Sequence, residues 1–451
     1  MSVPPPTVVA MTSTRTSGPT AAQRVYARVV GGDPSADVAG NGLRQVAANS
    51  FQSIGDQVMN AKTVLPWLLG ALGVPAAFTG LLVPVRESGS MLPQAAITGW
   101  VTSRPRRAAV WVSGAAGQAG ATLGIAACAA WAEGVLAGVL VVALLALFAV
   151  ARSLCSLAGK DVLGRTVPKG ERGRVNGVAT VVSGVVALSL GLGLRLLGGD
   201  VGAGLIAVLL LAASLAWLVA AAVYSRVQEP VEKDREPAGA PAGDGSGGDG
   251  EALGWATRAR ALLREDAAFR RFVVVRALLL VSALAPPFFV GAAQAAGSSA
   301  LSGLGSFVVA SGVAAVLGGR VFGAAADRSS RLLMAGGAAV ASLVVLGVAL
   351  ALALGEAPGW LLAAAFFVVS LVHVGVRVGR KTYVVDMAEG DRRTEYVAVS
   401  NSAMGVLLLG VGAVTAGLAT LGVPVALVFL GVLGLLGAVL GRGMPEVSAG
   451  R

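Results

Sequence analysis

The sequence predicts an all-α polytopic membrane protein, with twelve transmembrane helices in two pseudo-symmetric six-helix bundles. Three observations carry that expectation. Of 451 residues, 55% are hydrophobic and 13% charged, with a mean hydropathy of +0.77; soluble chains carry about 25% charged residues. Apolar runs near the roughly 20 residues that a bilayer crossing requires recur along the chain, as at 136–150, 203–223 and 403–422. Finally, landmarks repeat at a constant offset of 220 residues: Pro66 with Pro286, Gly99 with Gly319, Lys160 with Arg380, and Glu171–Arg172 with Asp391–Arg392.

Taken in order, residues 1–43 lack the compact apolar core of a signal peptide and read as a disordered cytoplasmic tail. The N-terminal bundle follows over 44–226, with spans one to six at about 46–70, 74–101, 108–131, 134–158, 176–197 and 202–225. Residues 227–268 form a cytoplasmic linker, rich in Gly, Pro and acid. It ends in a short amphipathic helix suited to the membrane surface. The C-terminal bundle occupies 269–442, with spans seven to twelve at about 269–296, 302–325, 332–355, 358–380, 396–420 and 423–441. Residues 443–451 are a second cytoplasmic tail.

Loop charge sets the orientation. The loops after spans two, four, six, eight and ten carry Arg104, Arg106 and Arg107, then Lys160 to Arg174, Arg226 to Arg264, Arg328 and Arg331, and Arg392 and Arg393. The intervening loops hold only Glu133, Asp200 and Glu356. Basic loops stay in the cytoplasm, so both termini and the linker are expected there, with the chain crossing the cytoplasmic (inner) membrane many times. The formal charge of +11 therefore reflects topology, and no nucleic-acid partner is expected. Cys128 and Cys155 lie in apolar segments without ligand spacing, so neither a disulfide nor a metal site is expected. With one histidine, no phosphate-cradling G-x-x-x-x-G-K-[ST] and no nucleophile–base spacing, neither an enzyme nor a cofactor is expected.

The chemistry concentrates in residues 49–94, where charges interrupt two spans. A charge at the centre of a bilayer helix costs roughly 2.5–3.5 kcal/mol on insertion scales, so such groups face a bundle interior or a wet pathway. In span one, Gln45, Asn49, Gln52, Asp56, Asn60 and Thr63 recur every three or four residues and share one helical face. Such a stripe is expected to line an aqueous cavity; the alternative is a cytoplasmic extension before Asp56. In span two, Arg86 and Glu87 are adjacent, so they diverge around the helix and each needs a partner elsewhere. That partner would lie on the pathway or, alternatively, in a structural ion pair with span one or four. Glu87 shares a side with Gln94, and Pro84, Gly89 and Pro93 predict a distorted helix whose freed carbonyls need water or polar neighbours. The repeat maps Asp56 onto Arg276 in span seven, which suggests a pair that makes and breaks between the halves. Span ten offers His373, a candidate titrating group or a packing residue, followed by Arg377 and Lys381, which are expected to snorkel to the surface.

Gly323, Asp327, Arg328 and Arg331 after span eight fit a G-x-x-x-D-R-x-x-R pattern. A second copy, Gly99, Arg104 and Arg107, follows span two, with Ser103 where the acid belongs. On these residues the chain resembles the major facilitator superfamily, and 62–69 and 83–90 look like a bacterial permease-like branch. The resemblance implies that these loops stabilise one end state through charge pairs and helix-end dipoles. It also aligns Arg152 of span four with an intramembrane arginine. The expected function is secondary active transport of a small polar or charged solute by alternating access, with Asp56 and Glu87 as candidates for proton coupling, because a carboxyl in an apolar site can cycle between its two forms. The expected partners are that small-molecule substrate, the lipid bilayer and protons, and the chain is expected to function as a monomer. The alternative is a transporter-shaped sensor, assembly factor or lipid-handling protein.

Overall fold

The computed structural model describes residues 19–31, 35–168, 171–196, 201–230, 257, 260–297, 303–387 and 391–448. The first helix, α1 (Ala21–Val29), precedes the bundle, and α2 (Ala36–Val58) begins span one. This corrects the reading of 1–43 as wholly disordered. Thr20 and Gln23 form a reciprocal capping box on α1, and Ser35 caps α2. Tyr26 is fully buried among Val30, Ala39, Val46, Val167 and Val175, and its hydroxyl donates to Glu171 at 2.8 Å. Thus α1 is held by tertiary packing, which a composition argument does not see. Residues 1–18 lie outside the described residues.

Span one is not continuous. It passes from α2 through a turn at 59–63 into α3 (Val64–Ala71). The break has a local cause: Pro66 has no N–H for the carbonyl of Lys62, and its ring crowds that carbonyl. Asn60 closes the turn, its Oδ1 accepting from the Lys62 N–H at 2.9 Å. Spans two to six follow as α4 (Ala76–Thr102), α5 (Arg107–Trp131), α6 (Gly134–Thr166), α7 (Arg172–Leu196) and α8 (Ala203–Tyr224). Helix α4 runs unbroken through Pro84 and Pro93.

After the linker, residues 260–265 are helical, where an amphipathic segment is expected, and Leu262 packs into the cluster around Phe269 and Phe272. Span seven is broken like span one, into α9 (Ala267–Leu278), α10 (Val281–Leu284) and α11 (Pro286–Ala295). Pro286 and Pro287 remove donors for Ser282 and Ala283 as Pro66 does for Lys62. The internal repeat is therefore a repeat of the helix break as well as of the proline. Spans eight and nine form one helical run, α12 (Leu304–Ala353), bent where Ser329 turns extended (φ −163°, ψ 97°). Spans ten to twelve are α13 (Gly359–Asp386), α14 (Asp391–Ala419) and α15 (Val423–Arg442).

Among the described residues, seven helical stretches are long and apolar enough to cross a membrane. In six of them 39–50% of the apolar window is buried, but in span seven the figure is 83%. Span seven thus sits inside the ring, whereas the others turn apolar faces outward. Leu147, Leu215, Leu343, Leu350 and Trp360 are among the large exposed apolar side chains. An outer surface of this kind is suited to lipid and not to water.

The two ends of the bundle differ. At the end carrying the termini and the linker, polar contacts pin the connections within each half. Glu229 accepts from the backbone N–H groups of Arg107 and Ala108, at 3.2 and 2.6 Å, and so caps span three. Asn41 exchanges two hydrogen bonds with the backbone of Gln228. A carboxylate on otherwise orphaned helix N–H groups is worth about 1 kcal/mol. Glu229→Ala is expected to lower stability by that amount, readable as a small fall in the melting temperature of the purified protein. In the other half, Glu446 pairs with Arg331 at 3.4 Å and Ser448 donates to Asp386 at 2.9 Å, which folds the C-terminal segment onto spans eight and ten.

At the opposite, distal end the halves meet. Spans five and eight touch backbone to backbone: a Cβ on Gly305 would lie 2.5 Å from the Arg195 nitrogen, and one on Gly191 2.7 Å from the Val309 nitrogen. Spans two and eleven pack Pro84 onto Gly412, and the Ser88 hydroxyl donates to the Gly405 carbonyl at 2.8 Å. Spans one and seven meet where Gln294 lies over Gly70. These glycine contacts and the Ser88 bond lie at mid-depth or nearer the distal end.

Candidate functional site

The two broken helices face each other across the interface, and charge gathers beside the breaks. Asp56, two residues before the end of α2, is the hub of the N-terminal half. Its Oδ1 accepts from Arg152 Nη1 of span four at 2.5 Å and from Arg86 Nη2 of span two at 3.3 Å. Arg152 also reaches Gln118 Oε1 of span three at 3.4 Å, and the Arg86 guanidinium lies 5.9 Å from the Phe148 ring centroid. Phe148 is itself fully buried against Trp217. The side chains of Asp56, Arg86 and Arg152 keep 20%, 16% and 30% of their accessible surface. They therefore border a space instead of being sealed into a core. One carboxylate serving two guanidiniums leaves this cluster cationic.

On the linker side of Asp56 lies a cavity of about 220 Å³ between spans one, three, four and six. Gln45, Asn49 and Gln52 line one wall, and Arg152, Ser156 and Lys160 line another. Three members of the polar stripe thus border this space. Asn60 instead stabilises the helix break, and Thr63 is buried with a hydroxyl that has no partner among the described residues.

In the C-terminal half, Arg276 takes the position that the repeat relates to Asp56. It is buried, and it donates to Ser400 Oγ and Asn401 Oδ1 of span eleven, each at 3.0 Å. The Asp56–Arg276 pair suggested by the repeat is therefore not formed in this conformation. Asp56 is satisfied by arginines of its own half, and Arg276 by neutral acceptors of its half. Arg276 Nε has no partner among the described residues. His373 lies beside the break in span seven, its Nδ1 3.1 Å from Ser282 Oγ.

Span ten adds Arg377, which is exposed, and Arg380, which is half-buried. Their charges act on Lys62 of span one and on His373, and Glu87 of span two acts on both Lys62 and Arg380. Arg380 acts in turn on Arg276.

The expected residues divide accordingly. Asp56, Arg86 and Arg152 come together, and Glu87, Arg276 and His373 belong to the same central region. Gln52 lines the cavity, whereas Gln94 donates to the Ser90 carbonyl on its own helix at 2.7 Å. Arg86 finds its partner on span one, as the structural ion-pair alternative has it. Residues not singled out as a site from sequence are Lys62, Gln118, Ser282, Arg380 and the pair Ser400–Asn401. The position of Arg380, one repeat length from Lys160, is the signal that points to it.

The loop motifs act within each half. Arg104 stacks over Trp100, 4.5 Å from its ring centroid. Arg107 contacts Asp161 of span four, which Arg165 also pairs at 2.9 Å. Arg331 donates to the carbonyls of Met444 and Arg442, and Arg328 is exposed. The side chains of Gly99, Gly323 and Asp327 lie outside the described residues.

No family model and no curated protein matches the chain. Solved structures do. A D-xylose–proton symporter superposes with a TM-score of 0.67 at 13% identity, over 91% of this chain and 99% of that one. A POT family transporter in complex with a thioalcohol-conjugated peptide gives 0.65 at 11% identity, over 88% and 95%. The xylose transporter of E. coli in an inward-open conformation gives 0.61 at 13% identity, over 90% and 96%. At such low identity the likeness speaks to architecture, and it covers about nine-tenths of the chain. The chain has the two-bundle helical fold of the major facilitator superfamily transporters.

Proposed function

We propose that this protein is a secondary active transporter that moves a small polar or charged solute across the cytoplasmic (inner) membrane by alternating access. The observation that carries this reading is the pair of repeat-related broken helices, each with charge beside its break, facing across the interface of two bundles. A scaffold has no use for costly charge at that depth, whereas a transport site placed at the interface of structural repeats does. The halves are closed at the distal end, and the polar cavity lies on the linker side of Asp56. On the basic-loop rule the linker side, with both termini, is the cytoplasmic side. The likeness to structures titled as sugar–proton and peptide transporters agrees with this reading. Both bundles belong to one chain, which supports function as a monomer.

The test is two-sided labelling. In a background of Cys128→Ala and Cys155→Ser, Gln52→Cys is expected to react with a membrane-impermeant maleimide from the cytoplasmic side and, more slowly, from the outside. Reaction from the cytoplasmic side alone would support a sensor or assembly role over transport. Proton coupling through Asp56 or Glu87 is a separate reading. It predicts that uptake into proteoliposomes responds to an imposed pH gradient, and indifference to the gradient would dismiss it.

A further inference from the structure

The cavity on the linker side of Asp56 takes its walls from the N-terminal half alone, and its two ends carry charge of one sign. Arg152, Ser156, Gly159 and Lys160 line it along one side of span four. At 1.5 Å per residue, about 12 Å of helix separates Arg152 from Lys160. Among the described residues no Asp or Glu lines the cavity. At its inner end Arg152 and Arg86 share the Asp56 carboxylate, at 2.5 and 3.3 Å, which leaves one guanidinium charge unbalanced. At the other end Lys160 is exposed, and its side chain makes no hydrogen bond or ion pair among the described residues. Beside it, the missing side chain of Gly159 leaves a gap: a Cβ there would lie 3.3 Å from Trp111 Nε1 and 4.0 Å from the Tyr224 hydroxyl. Trp111 and Tyr224 also line the cavity, stacked on each other with ring centroids 3.9 Å apart. Tyr224 is 1% exposed, and its hydroxyl has no partner among the described residues.

We propose that this cavity binds a short dicarboxylate, with one carboxylate on Arg152 and the other beside Gly159, held by Lys160, Trp111 and Tyr224. A guanidinium presents a planar fork of donors that matches two oxygens, and an ammonium adds a compact point charge. The inner carboxylate supplies the second negative charge that the pair Arg86 and Arg152 lacks. The outer one gives the buried Tyr224 hydroxyl an acceptor, which removes the cost of leaving it unpaired. The size agrees: about 220 Å³ is the room of roughly seven waters at about 30 Å³ each, which suits a four-carbon diacid. Extended, such a diacid together with the lysine stem bridges the length between the two charges. Because every lining residue belongs to one half, the site travels with that half when the bundles rock. The site therefore goes beyond the transport reading and does not depend on it.

The test uses the purified full chain in detergent at fixed ionic strength, titrated with succinate, acetate and succinamide while thermal unfolding is followed. Succinate is expected to raise the melting temperature, acetate to do so only weakly, and succinamide not at all. Lys160→Gln and Tyr224→Phe should each raise the half-saturating succinate concentration about tenfold, the worth of one charge-assisted hydrogen bond. Arg104→Gln should leave it unchanged. Without succinate, Tyr224→Phe should melt no lower than the parent, since it deletes a buried hydroxyl that has no partner among the described residues; this separates a lost ligand contact from a folding defect. Asp56→Asn removes the carboxylate that competes for Arg152, so its melting temperature should gain more from succinate than that of the parent. Silence toward succinate, an equal response to acetate or succinamide, or an equal succinate response in the parent, Lys160→Gln and Tyr224→Phe would overturn the proposal. Two-sided labelling of Gln52→Cys in a protein silent toward succinate would overturn this site and keep transport. Labelling from the cytoplasmic side alone, with the succinate shift intact, would do the reverse.

Discussion

Asp56→Ala is expected to be the most damaging single substitution in the chain. It removes the carboxylate bonded to Arg86 and Arg152 and leaves two largely buried guanidiniums beside each other. Removing one partner of a buried pair costs about 3–5 kcal/mol, because an uncompensated charge stays behind. With 16–30% of these side chains accessible, the lower end, about 3 kcal/mol, is expected. The measurement is thermal unfolding of the purified protein, accompanied by a double-mutant cycle of Asp56→Asn with Arg152→Gln. The double variant should be less destabilised than the sum of the singles by at least about 1 kcal/mol, since each single leaves a group that the other removes. Strict additivity would mean that the contact seen here contributes nothing. Transport should fall at least tenfold in Asp56→Asn, because the network that positions the charges on spans one, two and four is lost.

Gly305→Leu is expected to change the resting conformation. Its Cβ would fall 2.5 Å from the Arg195 nitrogen and 2.7 Å from the Gly191 carbonyl, both of them backbone atoms that cannot swing aside. Overpacking of this kind costs about 1–3 kcal/mol when the structure must accommodate it. In a protein that alternates between two arrangements, the cost falls only on the state in which spans five and eight touch distally. Its relative population should therefore drop by about tenfold for each 1.4 kcal/mol. A cysteine at Gln294, which packs over Gly70 at the same closure, should label several-fold faster from the outside in the Gly305→Leu background, and Gln52→Cys more slowly from the cytoplasm. If both rates are unchanged, the distal contact is not a gate.

Much of the architecture was legible in the residues because the bilayer leaves few choices: backbone polar groups must be satisfied within helices, so runs of apolar residues declare their spans. The repeat was legible for a related reason. Proline takes a donor out of a helix, and at Pro66 and Pro286 the fold displays a break in both halves, although α4 runs on through Pro84 and Pro93. The helix at 21–29 was not read from sequence, since its stability comes from Tyr26 finding Glu171 and an apolar pocket 145 residues away. Periodicity placed Gln45, Asn49, Gln52 and Asp56 on one face, but it could not say which of several arginines would meet the carboxylate.

That choice separates the two sources of information. The sequence alone determined an all-helical membrane chain, its duplication, the repeated prolines Pro66 and Pro286 and the charges at 56, 62, 86 and 87. These follow from local rules of hydropathy, proline stereochemistry and helical period. Only the tertiary structure decided that Asp56 is held by Arg86 and Arg152 and not by Arg276, and that Arg276 rests on neutral oxygens. Pairing depends on which helix faces meet and at what depth. Those are set by packing over the whole bundle, where Gly191, Gly305 and Gly412 let particular helices approach closely enough to fix the register.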